Sequence, residues 1–163
     1  LSMKQHLYCG FPQEGVDFEQ RYRYRADLPY LLRVMAGMDG KFGMFTTKQA
    51  QKGEDLKVKR IIKVDIAKNR TDFAPLNTGT MERYESGISS DGTLDFKVTL
   101  EYTYLDSNYN RVPMKKDSYL VRSQLDNGFL TLGVKHDNGP GLTGSQSIAD
   151  TIVVELERNS GGT

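Results

Sequence analysis

The cleanest alternation of apolar and polar positions runs from Thr93 to Leu105. Leu94, Phe96, Val98, Leu100, Tyr102 and Tyr104 fall on one side of an extended strand, and Asp95, Lys97, Thr99, Glu101 and Thr103 on the other, because successive strand side chains point to opposite faces. No helix sorts these residues so cleanly. The pattern predicts an antiparallel strand with a core on one side and water on the other.

The same reading extends along the chain. Val16 to Arg25 alternates Val16, Phe18, Gln20, Tyr22 and Tyr24 against Asp17, Glu19, Arg21, Arg23 and Arg25. Asp55 to Lys68 sets Leu56, Val58, Ile62, Val64 and Ile66 against Lys57, Lys59, Lys63 and Asp65. Arg60 and Ile61 break that pattern, and a β-bulge at Arg60 would explain the break. Asn127-Gly128 joins Asp117–Leu125 to Phe129–His136 as a tight hairpin. Met81 to Ser89 reads as a weaker strand turned by Ser90-Asp91-Gly92 into the Thr93 strand.

Two stretches carry competing patterns. Asp27 to Gly40 fits a helix capped by Asp27, with Pro29 in the first turn and Leu28, Leu31, Leu32 and Met35 on one face. It also fits a hairpin through Asp39-Gly40 joining Tyr30–Met38 to Lys41–Thr47, and the turn chemistry tilts the reading to the hairpin. Thr151 to Arg158 fits an amphipathic helix starting at Ser147, but its β-branched residues tilt it to a strand. Residues 48–54, 69–80, 106–116 and 137–147 read as connections, the last a mobile one.

Eight or nine strands on short turns predict a mainly β, single-domain antiparallel β-sandwich or β-barrel of about eight strands, with room for one short helix. One domain covers residues 1–163, with an irregular lead-in at 1–15 and a frayed tail at 159–163. The 163-residue length suits a single core.

Composition narrows the function classes. Lys and Arg number 22 against 21 Asp and Glu, a net charge of +1, so any attraction to polyanions has to come from a local patch. Cys9 is the sole cysteine, which rules out an internal disulfide and favours a reducing compartment. No apolar run reaches the roughly 18 residues that a membrane-crossing helix needs.

Four groups of residues are candidates for function. A cationic strand face, Arg21, Arg23 and Arg25 with Lys57, Lys59, Arg60 and Lys63, would bind single-stranded nucleic acid if the two strands were neighbours, with Tyr22 and Tyr24 stacking on bases. The alternative is a solvated outer face. Asp106, Asn108, Asn110 and Asp117 space oxygen donors like a calcium loop, but Arg111 stands where such a loop needs glycine, and an Asn/Asp-rich turn explains the same residues. His6, His136 and Cys9 are too few and too scattered for a zinc site. Met35, Met38 and Met44 with Phe42 and Phe45 would make either an adaptable binding surface or a core hairpin.

Nucleophile-elbow, phosphate-loop and dinucleotide patterns are absent, so no cofactor is expected. The leading expectation is a non-catalytic β-rich module that binds a protein partner, or itself, through loops or sheet edges. Single-stranded nucleic-acid binding by the cationic face is the second, and a barrel holding a small apolar ligand the third.

Overall fold

A computed structural model describes residues 6–48 and 55–160. In chain order the elements are β1 (Phe18–Arg23), α1 (Leu28–Met38), β2 (Phe42–Lys48), β3 (Asp55–Ala67), β4 (Phe73–Pro75), α2 (Glu82–Glu85), β5 (Gly92–Leu105), β6 (Arg111–Pro113), β7 (Asp117–Asp126), β8 (Phe129–Asn138) and α3 (Ser145–Ser160). The strands form one eight-stranded antiparallel sheet in the order β1-β8-β7-β5-β3-β2, with β4 added to β3 and β6 to β5. It curls into a half-barrel. A single sheet replaces the two faces of a sandwich, and α1 and α3 take the place of the second layer.

Register assigns each side chain to a face. Leu94, Phe96, Val98, Leu100 and Tyr102 of β5 share the concave face with Val58, Val64 and Ile66 of β3, Tyr119, Val121 and Leu125 of β7, and Leu130, Leu132 and Val134 of β8. Leu28, Leu31, Leu32 and Met35 of α1 and Ile148, Ala149 and Ile152 of α3 fill the hollow. Burying a side chain of this size contributes roughly 1.5–3 kcal/mol, so the two helices are integral to the core.

Three expectations are overturned here. Asp27–Gly40 is a helix and a corner, with no hairpin: the Asp27 carboxylate accepts the Tyr30 amide at 3.0 Å, and Gly40, at φ +88°, donates to the Ile62 carbonyl at 2.7 Å. An Asp-Gly pair serves a helix exit as well as a hairpin. Residues 151–158 belong to α3, because Ile148, Ala149, Ile152 and Leu156 repeat at helical spacing and all meet the core; that burial outweighs the strand preference of β-branched residues. Met81–Ser89 forms α2 and turns. The fold is mainly β and antiparallel, as expected, with two long helices and a short one where the expectation had room for one short helix.

No bulge lies at Arg60. The β2–β3 ladder runs unbroken from Phe42↔Ile61 to Lys48↔Asp55, and the β3–β5 ladder from Val58↔Tyr104 to Ile66↔Phe96. The irregularity lies instead in the β7–β8 ladder, between Ser118 and Tyr119. Arg60 therefore keeps its phase with Val58 and Ile62 and faces inward, while Ile61 faces outward. The Asn127-Gly128 turn is as predicted, with φ of 50° and 79°.

On the convex face residues 6–11 form a strap. Arg122 of β7 grips the buried Asp95 of β5 with two hydrogen bonds of 2.7 and 2.8 Å, Phe11 covers the guanidinium at 4.5 Å, and the Tyr8 amide donates to the same carboxylate at 2.6 Å. The connection at 48–54 lies outside the described residues beyond Lys48, as do the ends of the lead-in and tail, 1–5 and 161–163.

Candidate functional site

Two features invite a functional reading: a buried polar centre at one end of the half-barrel, and the outer face around β2. The first is built on Asp117, whose carboxylate is fully buried. One oxygen accepts from His136 Nε2 at 2.9 Å and the Gly141 amide at 2.6 Å; the other accepts from Tyr102 Oη at 2.6 Å and the Leu142 amide at 2.9 Å. Thr143 extends the network, its hydroxyl lying 3.0 Å from Tyr102 Oη and accepting from Arg60 at 3.1 Å, and its carbonyl accepting from the Tyr119 hydroxyl. Arg60, Thr143, Tyr102 and Asp117 thus form one chain of donors running to the carboxylate.

Strand phase puts these groups together. Asp117 opposes Leu100 and lies two residues before Tyr119 on the concave face, and Tyr119 opposes His136. The 139–144 loop then folds back over the carboxylate. Gly139, at φ +106°, comes so close that a Cβ there would stand 2.1 Å from the Lys116 carbonyl oxygen.

Burial pushes the Asp117 carboxyl up, but hydrogen bonds from Tyr102, Gly141, His136 and Leu142 outweigh it and hold the group below its ordinary value. Burial, aided by the Asp117 charge, pushes the Tyr119 phenol up to about 12, and Tyr102 is raised too. A carboxylate with two donors on each oxygen has no free lone pair to take a substrate proton. What the centre does is fasten the loop that launches α3. Beside Arg60 and Thr143 a cavity of about 20 Å³ separates α3 from the sheet, room for a single water.

The cationic residues divide. Arg21 and Arg23 lie on the outer face of β1, where Arg21 covers the Phe129 ring at 3.9 Å, and Arg25 is exposed just beyond the strand. Lys57, Lys59 and Lys63 lie on the outer face of β3, with three strands in between, and Arg60 points to the opposite face. Tyr22 and Tyr24 face the core, the Tyr24 hydroxyl donating to the Asp27 carbonyl. Asp106 accepts the Asn108 and Asn110 amides of its own turn, while Asp117 is engaged in the buried centre, so the four oxygen-bearing residues are not brought together. Among the described residues no group of three or more His, Cys, Asp or Glu converges to hold a metal ion. His6 is buried against the Ala67 carbonyl, and Cys9 is exposed. Met35 and Met38 are in the core and Phe45 is partly buried, whereas Phe42 and Met44 point outward.

That outward pair belongs to the second feature. Phe42 is 68% exposed, Met44 46%, Leu105 44% and Tyr109 85%, and all four lie on β2, the end of β5 or the β5–β6 turn. Lys59 opposes Met44 on one side and Thr103 on the other, and its ammonium sits 4.6 Å from the Phe42 ring centre. Lys57, Lys63 and Arg111 are exposed on the same face, with Phe42 toward one end of it and Leu105 toward the other. The sheet's two edges also differ. β1 reads FEQRYR, with three charges in six residues, whereas β2 is uncharged from Phe42 to Thr47. Charge is a common guard of an exposed edge, and β2 lacks it.

Comparison of the chain with protein-family models, with curated proteins and with solved structures finds no match. Asp117 and Arg60 stand out in the sequence but are assigned there to a calcium-like loop and an outer cationic face; phase is the signal for their true place, since both keep step with the apolar faces of their strands, which marks an inward charge needing partners. Thr143, Gly141 and Leu142 sit in a loop with no periodicity, and Leu105 comes onto the same outer face as β2 only through strand order.

Proposed function

We propose that the protein is a non-catalytic binding module that engages a protein partner through the free edge and outer face of β2. The observation that carries this reading is the uncharged Phe42–Thr47 edge strand with Phe42 and Met44 exposed on it, opposite a β1 edge guarded by charge. Exposed apolar clusters beside an unpaired edge favour strand addition. The saturated Asp117 carboxylate and the helix-filled hollow add support, since together they leave the inside of the half-barrel without room for a drug-sized ligand.

A photo-crosslinking amino acid at position 42, in cells that naturally make the protein, tests this. Discrete protein adducts from position 42, with none from position 19 on β1, are expected. Equal labelling from both edges, or no protein adducts, would count against the reading. A second reading, single-stranded nucleic-acid binding, is favoured by Lys57, Lys63 and Arg111 on the same face as exposed Phe42, and by exposed Tyr109 on the β5–β6 turn. Nucleic-acid adducts from position 42 would support it in place of the first.

A further inference from the structure

Backbone direction at β2 follows from the corner that precedes it. The Ile62 amide donates to the Lys41 carbonyl at 2.9 Å, so Lys41 faces β3. Alternation in an antiparallel ladder then turns Gly43, Phe45 and Thr47 toward β3 and leaves the amides and carbonyls of Phe42, Met44 and Thr46 at the open edge. Among the described residues no hydrogen bond reaches these outward groups.

The side chains beside this edge have a sign. Lys59 projects across β2, placing its ammonium over Phe42, and Lys57 opposes Thr46. Among the described residues Lys57, Lys59 and Lys63 have no ion-pair partner; the nearby Glu101 is paired with Lys116. On the concave side, the position next to Gly43 is open, with no atom within 4 Å of where a Cβ would stand, and Phe45 is partly buried beside it. An incoming strand therefore meets Phe42 and Met44 with the Lys57 and Lys59 charges beside them on its convex side, and Phe45 with the open position at Gly43 on the other.

Resting on the binding reading above, we infer that the partner presents an extended segment of alternating acidic and apolar residues, which adds to β2 as a further strand. Its backbone bonds the outward groups of Phe42, Met44 and Thr46, its carboxylates meet Lys57 and Lys59, and its apolar residues lie beside Gly43 and Phe45. A second copy of the chain fits less well, because pairing two β2 edges brings the lysine faces of both copies together.

The probe is a fluorescein-labelled peptide of alternating valine and glutamate, titrated by anisotropy at low and raised salt. It should bind, with affinity falling as salt rises. A valine–lysine peptide should not bind. Thr46→Pro removes one outward amide and leaves the β3 ladder intact, and should weaken binding about tenfold, while Thr46→Val, which keeps the amide, should not. Lys59→Glu should reverse the preference between the two peptides. Equal affinity for both peptides, an unaffected Thr46→Pro variant that circular dichroism shows to be folded, or no binding at low salt would overturn the inference. So would a labelled oligothymidylate that competes for this face, or a dimer in sedimentation that Thr46→Pro dissolves. Protein adducts from position 42 would survive a failure of the acidic peptide, so the partner's chemistry and the use of the edge are tested apart.

Discussion

Replacing Asp117 with asparagine changes almost no volume but puts an NH₂ where an oxygen now accepts two hydrogen bonds. Whichever way the amide turns, it faces either Tyr102 Oη and the Leu142 amide or His136 and the Gly141 amide. The Leu142 or Gly141 amide that faces the NH₂ loses a charge-assisted hydrogen bond, at about 1.5–3 kcal/mol, and the other three bonds lose the charge, giving a cost of about 3–6 kcal/mol in all. Set against a typical total of about 5–15 kcal/mol, this is a large fraction of the stability. At about 2–4 °C per kcal/mol for a chain of this size, Asp117→Asn should melt about 6–24 °C below the parent. Urea and thermal unfolding followed by circular dichroism give the magnitude. Amide exchange adds a local readout, with Gly141 and Leu142 accelerating before the sheet does. A loss under about 1 kcal/mol with those two amides unchanged would refute the view that the carboxylate fastens the loop.

Three further outcomes follow from the same contacts. Arg60→Ala should cost about 1–2 kcal/mol by releasing Thr143 and the Phe45 ring, whereas Lys59→Ala on the outer face should stay within about 0.5 kcal/mol; equal effects in urea melts would contradict the inward placement of Arg60. Arg122→Ala should cost about 3–5 kcal/mol, because Asp95 is left buried without its partner, and restoring the loss with Asp95→Asn in the double variant would identify the cause. Stability should fall at both pH extremes. The lowered Asp117 carboxyl contributes above its ordinary value of 3.8 and loses that contribution as pH falls through its folded value, with Asp65, raised by burial, working in the opposite sense. The raised Tyr119 contributes below its ordinary value of 10.0 and loses it as pH rises toward about 12. A stability profile in urea that is flat below pH 4 for the parent, or equally steep for Asp117→Asn, would contradict the acid limb.

Much of the sheet was legible because its strands alternate strictly. The β5 pattern and the Asn127-Gly128 turn fix their elements locally, and alternation assigns Val98, Val64 and Tyr119 to inward faces, which the register then brings side by side. The two long helices were not. α1 and α3 contain strand-favouring residues, Val34 in one and Ile152, Val153 and Val154 in the other, and form helices because the concave sheet offers a surface to their Leu31, Met35, Ile148 and Ile152 faces. That surface is set by strand order, which local pattern does not carry. The same gap explains the cationic strip: Arg21 and Lys59 are each outward on their own strands, as read, but three strands separate β1 from β3. Arg60 is misplaced when its break in the pattern is read as a bulge; the ladders through it are continuous, and unbroken phase makes it an inward charge.

Amide exchange along β2, residue by residue, tests the free edge most directly. In the isolated chain Phe42, Met44 and Thr46 should exchange rapidly while Gly43, Phe45 and Thr47 are protected, and adding the valine–glutamate peptide should slow the first three and leave the β1 edge unchanged. Protection of all six amides in the isolated chain, or an alternation that the bound peptide leaves intact, would contradict the assignment of β2 as the docking edge.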